Sequence, residues 1–207
     1  MFKILVVGDV CSGKTAIVEQ FVHHRFDPVY KSTVACEFAL KILTIDGHAI
    51  RLQLWDIAGQ DRLGGISKLF CRDAHAAIVV CDLTKKQTLT NTVAWKQQVD
   101  SHVCLPNEQP IPMVLAANKY DLVEDYENTG RRMDEYMTQG GLDDFADDAG
   151  FVGAFRTSAK TGHNVTEAFC CLIREVLKQD LSMFDHLGDD SENGGPERFK
   201  RTINISS

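Results

Sequence analysis

Residues 8–15, GDVCSGKT, follow the apolar run FKILVV and match the pattern G-x-x-x-x-G-K-[ST]. In this pattern a β-strand leads into a glycine-bounded loop and a helix begins at its end, so that backbone N–H groups converge on phosphate oxygens. The residues from Lys14 to about His24 have the apolar spacing of a helix. The stretch therefore predicts a strand, a phosphate loop and a helix; a tight turn without a ligand is the alternative.

The residues of this loop have separate expected roles. Lys14 is expected to reach the β and γ phosphates of a nucleotide, and the hydroxyl of Thr15 to ligate Mg²⁺. Backbone N–H groups cradle the phosphate, and every residue except proline supplies one, so the residues between the two glycines do not exclude binding. The predicted nucleotide contacts in this segment are Gly8, Val10, Cys11, Ser12, Gly13, Lys14, Thr15 and Ala16.

The rest of the chain alternates strand and helix patterns. Two alternating segments flank Asp46-Gly47, the pair that a two-residue type I′ hairpin favours, so this hairpin adds one antiparallel strand. Continuous apolar runs at 76–83 and 112–119 predict strands buried on both faces. With a last strand in GAFRTSAK and a last helix in NVTEAFCCLIREVLKQ, the sequence predicts an α/β fold of six mostly parallel strands in a doubly wound sheet, with about five helices.

Length and composition limit the domain organisation and the function. The chain has 207 residues, of which 44% are hydrophobic, and this suits one domain with a substantial core. We predict that domain over residues 1–184, with an inserted surface loop near 123–141 and a flexible tail over 185–207. The formal net charge of −7 gives no general attraction to nucleic acid, so no nucleic-acid partner is expected.

Cysteine usage and targeting signals indicate the compartment. The seven cysteines are scattered without C-x-x-C spacing, which argues against a disulfide framework or a zinc site and favours a reducing environment. The sequence has no signal peptide and no apolar run of membrane-spanning length. We therefore expect a cytoplasmic protein.

A second motif, WDIAGQ at residues 55–60, ends another predicted strand. Asp56 is expected to hold Mg²⁺ through a water, and the N–H of Gly59 to meet the γ phosphate. Gln60 is then placed to orient an attacking water, so Gln60 and Lys14 are the predicted catalytic residues. A strand that merely enters a turn is the alternative for this segment taken alone.

The motif NKYD, residues 118–121, indicates which base is bound. An ionised aspartate only accepts hydrogen bonds, and guanine presents its N1–H and 2-amino group side by side, whereas adenine has an unprotonated N1 and no 2-amino group. Asp121 therefore selects guanine. Asn118 belongs to the same site, the stem of Lys119 is expected to cover one face of the base, and Phe26 is the candidate to stack on the other.

The segment TSAK ends a further predicted strand with Ser158, Ala159 and Lys160. The N–H of Ala159 is expected to donate to guanine O6 and so to exclude the amino group of adenine. Such tripeptides are common in proteins, and this one carries weight only because its order and spacing match the other motifs.

With these motifs in one order, the chain resembles the small GTPases of the Ras superfamily over residues 2 to about 180, and within them the Rab family. WDIAGQDR, ANKYDL and TSAK match the signatures of that family. EFALKIL together with VCLPNEQPIPMVLAANK is similar to the Rab branch associated with lysosome-related organelles and mitochondria. The resemblance implies a switch in intracellular membrane traffic that binds guanine nucleotides, hydrolyses GTP to GDP and recruits effectors in its GTP form.

The resemblance also implies two switch regions, residues 26–38 and about 57–72. Thr33 matches the threonine whose hydroxyl joins Mg²⁺ when the γ phosphate is present, and Tyr30 is a further expected nucleotide contact. Loss of the γ phosphate is expected to release both switches and thereby dismiss partners. The aromatic set that Rab proteins offer to effectors corresponds here to Phe38, Trp55 and Phe70, with burial of all three in the core as the alternative.

The implied partners are an exchange factor, a GTPase-activating protein and effectors, which would bind through the switch regions. The chain is expected to be a monomer with peripheral association to the cytosolic face of an intracellular membrane. Val10 and Cys11 fall at the rim of the phosphate loop, where by this resemblance hydrolysis is tuned.

Several features depart from the family pattern. Ala35 stands where Rab proteins usually have glycine, FCRDAHA only loosely resembles the usual end of the second switch, and the insertion at 123–141 is longer than in most Rab proteins. No cysteine follows Cys171, so the signal for prenylation is missing from this sequence. We expect either that the sequence is cut short or that the protein does not anchor itself by prenylation.

Other functions stay open at this point. A GTP-loaded binding scaffold with negligible hydrolysis is one, because Val10 and Cys11 would crowd the space that an incoming arginine finger uses. A Rho-like switch is another, because the insertion falls where Rho proteins have theirs, although switch I lacks the Rho pattern. A P-loop kinase of a small metabolite fits less well, because NKYD has no role in such an enzyme.

Overall fold

A computed structural model of the chain describes residues 1–29, 32–59, 67–124, 129 and 133–188. The chain divides into two units, Met1–Val176 and Leu177–Ser207. Of the second unit, the described part is the end of the last helix, which stops at Gly188. The predicted tail over 185–207 falls mostly outside the described residues, and its boundary stays a prediction.

The first unit contains a six-stranded sheet with the order β2-β3-β1-β4-β5-β6. The strands are β1 Phe2–Gly8, β2 Cys36–Ile45, β3 His48–Ile57, β4 Ala76–Asp82, β5 Met113–Asn118 and β6 Gly153–Arg156. All neighbouring pairs are parallel except β2 with β3, which is antiparallel. This confirms the predicted α/β sheet with one antiparallel strand.

Five α-helices are described over their full length, four of them between strands and the fifth after β6. They are α1 Lys14–His23, α2 Lys68–Cys71, α3 Lys86–Asp100, α4 Gln139–Ala149 and α5 Val165–Gly188. None of these helices is both long enough and apolar enough to cross a membrane, as far as the described residues extend.

The hairpin between β2 and β3 has the predicted two-residue turn. Asp46 and Gly47 both have positive φ angles, 50° and 81°, as a type I′ turn requires. The side chain of Arg174 on α5 donates to Asp46 at 3.1 Å. Strand β2 lies at the edge of the sheet, and its residues Phe38, Leu40 and Ile42 are more than half exposed.

The core lies on both faces of the central strands. Every residue of β4 and β5 is buried, and β1 is buried from Lys3 to its end, which explains their unbroken apolar runs. On one face the rings of Phe21 in α1 and Phe169 in α5 stack with centroids 3.8 Å apart. On the other face α3 buries Trp95 and Val99.

The region of the predicted insertion is described at its two ends. One turn of 3₁₀-helix covers Tyr120–Leu122 and another covers Glu135–Met137. The side chain of Thr138 accepts from the N–H of Gly141 at 3.0 Å, so helix α4 begins within the span 123–141. Residues 125–128 and 130–132 lie outside the described residues.

Candidate nucleotide site

The five parallel strands bring the predicted motifs to one edge of the sheet. The phosphate loop follows β1, Asp56 is the second-last residue of β3, and Asn118 is the last residue of β5. TSAK follows β6 directly. Ligands of open α/β sheets bind at this carboxyl edge, so the fold itself assembles the site from segments that are distant in sequence.

Both glycines of the phosphate loop are required by their surroundings. Gly8 has a φ of 142°, and a β-carbon there would collide with the carbonyl oxygen of Val80 in β4. Gly13 has a φ of 96°, and a β-carbon there would collide with the amide of Asn118. These positions therefore need glycine for conformation and for close approach.

The residues between these glycines form the rim of the loop. Val10 is 46% exposed, and Cys11 is exposed with a φ of 61°. Neither side chain fills the space that the loop encloses. Gly59 lies against the loop, because a β-carbon there would stand 2.8 Å from the Nζ of Lys14 and would collide with the N of Val10.

Lys14 is held inside the loop. Its Nζ donates to the carbonyl oxygens of Gly8 and Asp9, both at 3.0 Å, and the residue is 6% exposed. Burial lowers the pKa of Lys14, and the negative charge of Asp56 acts against that shift. The ammonium group is therefore fixed beside the space where phosphates would lie.

Three oxygen-bearing side chains from three different segments meet next to the loop. The hydroxyl of Thr15 donates to Asp56 Oδ2 and lies 2.9 Å from the hydroxyl of Thr33, which itself lies 3.5 Å from Asp56 Oδ2. Asp56 is 2% exposed, and burial raises its pKa to about 6. Its second oxygen, Oδ1, is buried and has no hydrogen-bond partner among the described residues.

This cluster suits a small divalent cation. Hydroxyl and carboxylate oxygens are the ligands that Mg²⁺ prefers, and a cation would satisfy the buried oxygen and offset the cost of the buried charge. No group of three or more histidine, cysteine, aspartate or glutamate side chains suited to a metal occurs among the described residues. The fit to Mg²⁺ therefore rests on the combination of one carboxylate and two hydroxyl groups.

Asn118 connects the base motif to the two loops beside it. Its Nδ2 donates to the carbonyl oxygen of Ser12, and its Oδ1 accepts from the N–H of Ala159, each at 3.0 Å. Asn118 is 2% exposed. The N–H of Ala159, predicted to donate to guanine O6, is thus directed at Asn118 in this structure.

Lys119 and Asp121 are each held by a partner. Lys119 has a φ of 70°, and its Nζ donates to Asp82 Oδ2 at 2.7 Å. Burial acts to raise the pKa of Asp82, but the hydrogen bonds from Lys119 and Thr84 lower it below its ordinary value. The hydroxyl of Ser158 donates to Asp121 Oδ1 at 2.6 Å, while the Nζ of Lys160 lies 4.0 Å from Asp121 Oδ2.

Three predicted site residues remain, namely Phe26, Tyr30 and Gln60. Phe26 lies beyond the end of α1 and is 40% exposed, so its ring is available to a ligand. Tyr30 and Gln60 lie outside the described residues.

The three aromatic residues of the predicted effector surface form a chain of contacts. Phe38 is paired with Trp55 across β2 and β3, and their rings meet edge to face with centroids 5.8 Å apart. Trp55 and Phe70 follow at 6.3 Å, and both pack against the core. Phe38 is 52% exposed, so the alternative that all three are core residues is wrong for Phe38.

Lys3 and Asp9 also contact residues of the site, although neither was predicted from the sequence. Lys3 lies with its Nζ 4.1 Å from the ring centroid of Trp55 and donates to the carbonyl oxygen of Arg72 at 2.7 Å. The carboxylate of Asp9 accepts from the side chains of Asn91 and Trp95 on α3. Lys3 lies in the buried strand β1 and Asp9 follows it directly. Charged residues are rarely buried without a partner, and this position is the one sign in the sequence that the two residues have a role.

Tyr120, the third residue of NKYD, also makes contacts that the motif did not predict. Its ring stacks on that of His163 with centroids 4.9 Å apart, and the guanidinium carbon of Arg156 lies 4.6 Å from its centroid. These contacts join the loop that carries Asp121 to the segment around TSAK.

Comparison with known proteins gives a consistent set of matches. A model of the Ras family matches residues 3–178. Ras-related protein Rab-32A of Dictyostelium discoideum is 42% identical over 184 residues, covering 87% of this chain and 80% of that protein. Ras-related protein Rab-32 of Mus musculus is 40% identical, covering 88% and 78%, and Ras-related protein Rab-7L1 of Homo sapiens is 39% identical, covering 91% and 90%.

Proposed function

The chain belongs to the Ras family, as a Rab-type GTPase that binds guanine nucleotide, hydrolyses GTP and acts as a switch in membrane traffic, and from this we propose which residues carry each step. Members of this family work with exchange factors, GTPase-activating proteins and effectors. A GTP-loaded scaffold without hydrolysis and a Rho-like switch are not favoured.

We propose that the phosphate loop binds the β and γ phosphates with its backbone N–H groups and with Lys14. The support is the position of the Lys14 ammonium, which the carbonyl oxygens of Gly8 and Asp9 hold at 3.0 Å. A cation fixed in advance offsets the charge that develops on the phosphates without reorganisation during the reaction. Gly59 lies close enough to the loop for its N–H to meet the γ phosphate.

We propose Thr15, Thr33 and Asp56 as the residues that hold Mg²⁺, Asp56 through a water. When bound, this ion would neutralise charge on the phosphate oxygens. The hydroxyl group of Thr33 comes from switch I and lies 2.9 Å from that of Thr15. This contact supports the proposed switch, because it joins the hydroxyl of Thr33, in the predicted switch I, to a hydroxyl of the phosphate loop.

Gln60 is proposed to orient the attacking water, as its position after Gly59 indicates. Catalysis would then consist of positioning and charge stabilisation, with unaided turnover on the order of 10⁻⁴ to 10⁻³ per second and a steep rise with an activating protein. Loss of the γ phosphate would remove the contact that holds Thr33 and release switch I.

The base is proposed to be guanine, bound by Asp121 with support from the NKYD and TSAK segments. The hydroxyl of Ser158 donates to one oxygen of the Asp121 carboxylate at 2.6 Å, which orients the group. Each carboxylate oxygen can accept more than one hydrogen bond, so the carboxylate can still accept from the N1–H and the 2-amino group of guanine. The ion pair of Lys119 with Asp82 fixes the stem of Lys119, which would cover one face of the base. Phe26 is proposed to stack on the other face.

We also propose Phe38, Trp55 and Phe70 as the surface that effectors contact, with the half-exposed ring of Phe38 as its support. The protein is proposed to act as a monomer in the cytoplasm and on the cytosolic face of an intracellular membrane. Lysosome-related organelles and mitochondria are the proposed membranes, on the resemblance of EFALKIL and VCLPNEQPIPMVLAANK described above.

The test is single-turnover hydrolysis by the purified full chain, loaded with GTP or ATP in the presence and absence of Mg²⁺. We expect binding of GTP but not ATP, and hydrolysis that depends on Mg²⁺ and falls on Gln60→Leu. Gln97→Leu, on the exposed side of α3, is the matched control and should hydrolyse GTP at the wild-type rate. Equal affinity for ATP and GTP, or full activity of Gln60→Leu, would contradict the assignment.

A further inference from the structure

The side chain of Asp9 is buried beneath the phosphate loop and bound to helix α3. Asp9 is 6% exposed. Its Oδ1 accepts from the indole N–H of Trp95 at 2.8 Å, and its Oδ2 accepts from the amide of Asn91 at 2.7 Å. Asn91 and Trp95 are one helical turn apart, so both donors face the loop from the same side of α3.

The backbone of the same residue contacts the catalytic lysine. The carbonyl oxygen of Asp9 accepts from the Nζ of Lys14 at 3.0 Å and from the N–H of Ser12 at 3.2 Å. Asp9 thus binds α3 with its side chain and supports Lys14 with its main chain. A displacement of the side chain would move the carbonyl on which the ammonium rests.

Helix α3 is a rigid anchor for this contact. Trp95 is 2% exposed, and Thr92, three residues before it in α3, is fully buried. Such close-packed side chains have little freedom to follow a shift of the loop. The next two residues of the loop, Val10 and Cys11, are exposed and are not packed in this way.

We propose that Asp9 is a positioning residue for GTP hydrolysis, which fixes Lys14 relative to the phosphates by tying the phosphate loop to Trp95 and Asn91 of α3. The proposal rests on the role of Lys14 in the proposed function and deepens it.

Two substitutions remove the link from opposite sides. Trp95→Phe keeps an aromatic ring in the core but removes the N–H donor to Asp9. Asp9→Ala removes both acceptors, while Asp9→Asn keeps one acceptor oxygen for Trp95 and so retains part of the link. Val99→Ala is the control, because it opens a cavity in the same helix without touching Asp9, Asn91 or Trp95.

The full chain is loaded with GTP, and three quantities are measured for each variant: single-turnover hydrolysis, release of GDP and the thermal midpoint. We expect Trp95→Phe to slow hydrolysis about fivefold, as the loss of one buried hydrogen bond would. Asp9→Ala should lose at least as much, Asp9→Asn should lose less than Asp9→Ala, and the double variant Asp9→Ala/Trp95→Phe should be no slower than Asp9→Ala. Val99→Ala should lower the thermal midpoint but leave hydrolysis unchanged.

A purely structural role gives a different pattern. Trp95→Phe and Val99→Ala would then both lower the thermal midpoint and both hydrolyse GTP at the wild-type rate, and this result would overturn the proposal. Additive losses in the double variant would overturn it as well. Lys14→Ala, run in parallel, separates this failure from that of the proposed function: wild-type hydrolysis by Lys14→Ala contradicts the role of Lys14 itself, whatever the Trp95 variant does.

Discussion

The side-chain amide of Asn118 donates to the carbonyl oxygen of Ser12 at 3.0 Å and joins the base motif to the phosphate loop. The same side chain accepts from Ala159, so one buried residue organises three segments of the site. In the proposed site these hydrogen bonds would couple recognition of the base to recognition of the phosphates through the protein, apart from any coupling through the nucleotide.

Replacement of this residue should weaken nucleotide binding strongly. Asn118→Ala removes both hydrogen bonds and leaves the carbonyl of Ser12 without that partner, so we expect a loss of about 2 kcal/mol, or about thirtyfold in affinity. Dissociation of fluorescent GDP measures it. Asn107→Ala, on an exposed loop, serves as the control. Equal release rates in the two variants would show that Asn118 does not organise the site.

Asp121→Asn should change which base is bound. Xanthine has a carbonyl in place of the 2-amino group of guanine, so an amide N–H would complement it where the carboxylate cannot. Mismatch in a site of this kind costs several kcal/mol, and we expect GTP to bind at least about a hundredfold more weakly while xanthosine triphosphate binds better than GTP. Competition titration gives both affinities. The exposed Asp134→Asn should keep the preference for GTP; the same preference in Asp121→Asn would refute the guanine contact.

Val10→Gly should separate binding from hydrolysis. The side chain of Val10 is on the rim at 46% exposure, and its backbone N–H survives the substitution, so affinity for GTP should stay nearly unchanged. By the family resemblance hydrolysis is tuned at this rim of the loop, and we expect Val10→Gly to raise it about three- to tenfold. Val152 is 41% exposed on a surface away from the site, so Val152→Gly is the control for the general effect of replacing an exposed valine with glycine. A large loss of affinity for GTP in Val10→Gly would contradict the separation of binding from hydrolysis at this residue.

Ala35→Gly should stabilise the protein. Ala35 has a φ of 59°, in the left-handed region that glycine adopts without strain, and its carbonyl accepts from the N–H of Ala58 at 3.0 Å. Relief of this strain should add about 1 kcal/mol to the free energy of unfolding, or a few degrees in the thermal midpoint. Ala39→Gly within β2 should instead destabilise. If Ala35→Gly also destabilises, switch I does not hold this conformation in solution.

The cysteines should differ in reactivity at pH 8. Burial raises the pKa of Cys36 and of Cys71 to about 11, so about 0.1% of either thiol is ionised at that pH. Cys11 and Cys104 are exposed and should react first with iodoacetamide. Bound GTP should slow the alkylation of Cys11 but not that of Cys104, as peptide mass spectrometry can measure. Equal slowing at both, or none at Cys11, would place Cys11 away from the nucleotide.

The strands themselves and the position of the motifs were predictable because each depends on local sequence. Apolar runs mark β4 and β5, the pair Asp46-Gly47 marks the hairpin, and the glycine pattern marks the phosphate loop. The parallel sheet then places the ends of these strands together without further information. The convergence of Thr15 and Asp56 follows from that topology.

The supporting contacts were not predictable, because they join residues that no periodic pattern relates. Asp9 with Trp95, Lys3 with Trp55, and Lys119 with Asp82 are each separated by tens of residues in the chain. The positive φ of Ala35 was not predictable from the residue itself, because alanine gives no signal for a left-handed conformation; the glycine that Rab proteins usually have at this position was the one sign of it.

The exposed side of β2 also affects how the protein behaves at high concentration. An edge strand with unpaired backbone groups can pair with the edge of another chain, and apolar side chains at alternate positions favour that association. Phe38, Leu40 and Ile42 supply such side chains on β2, with only Lys41 as a charge between them. We therefore expect the folded protein to associate at high concentration without unfolding first. Ile42→Lys should raise the concentration at which the protein stays in solution.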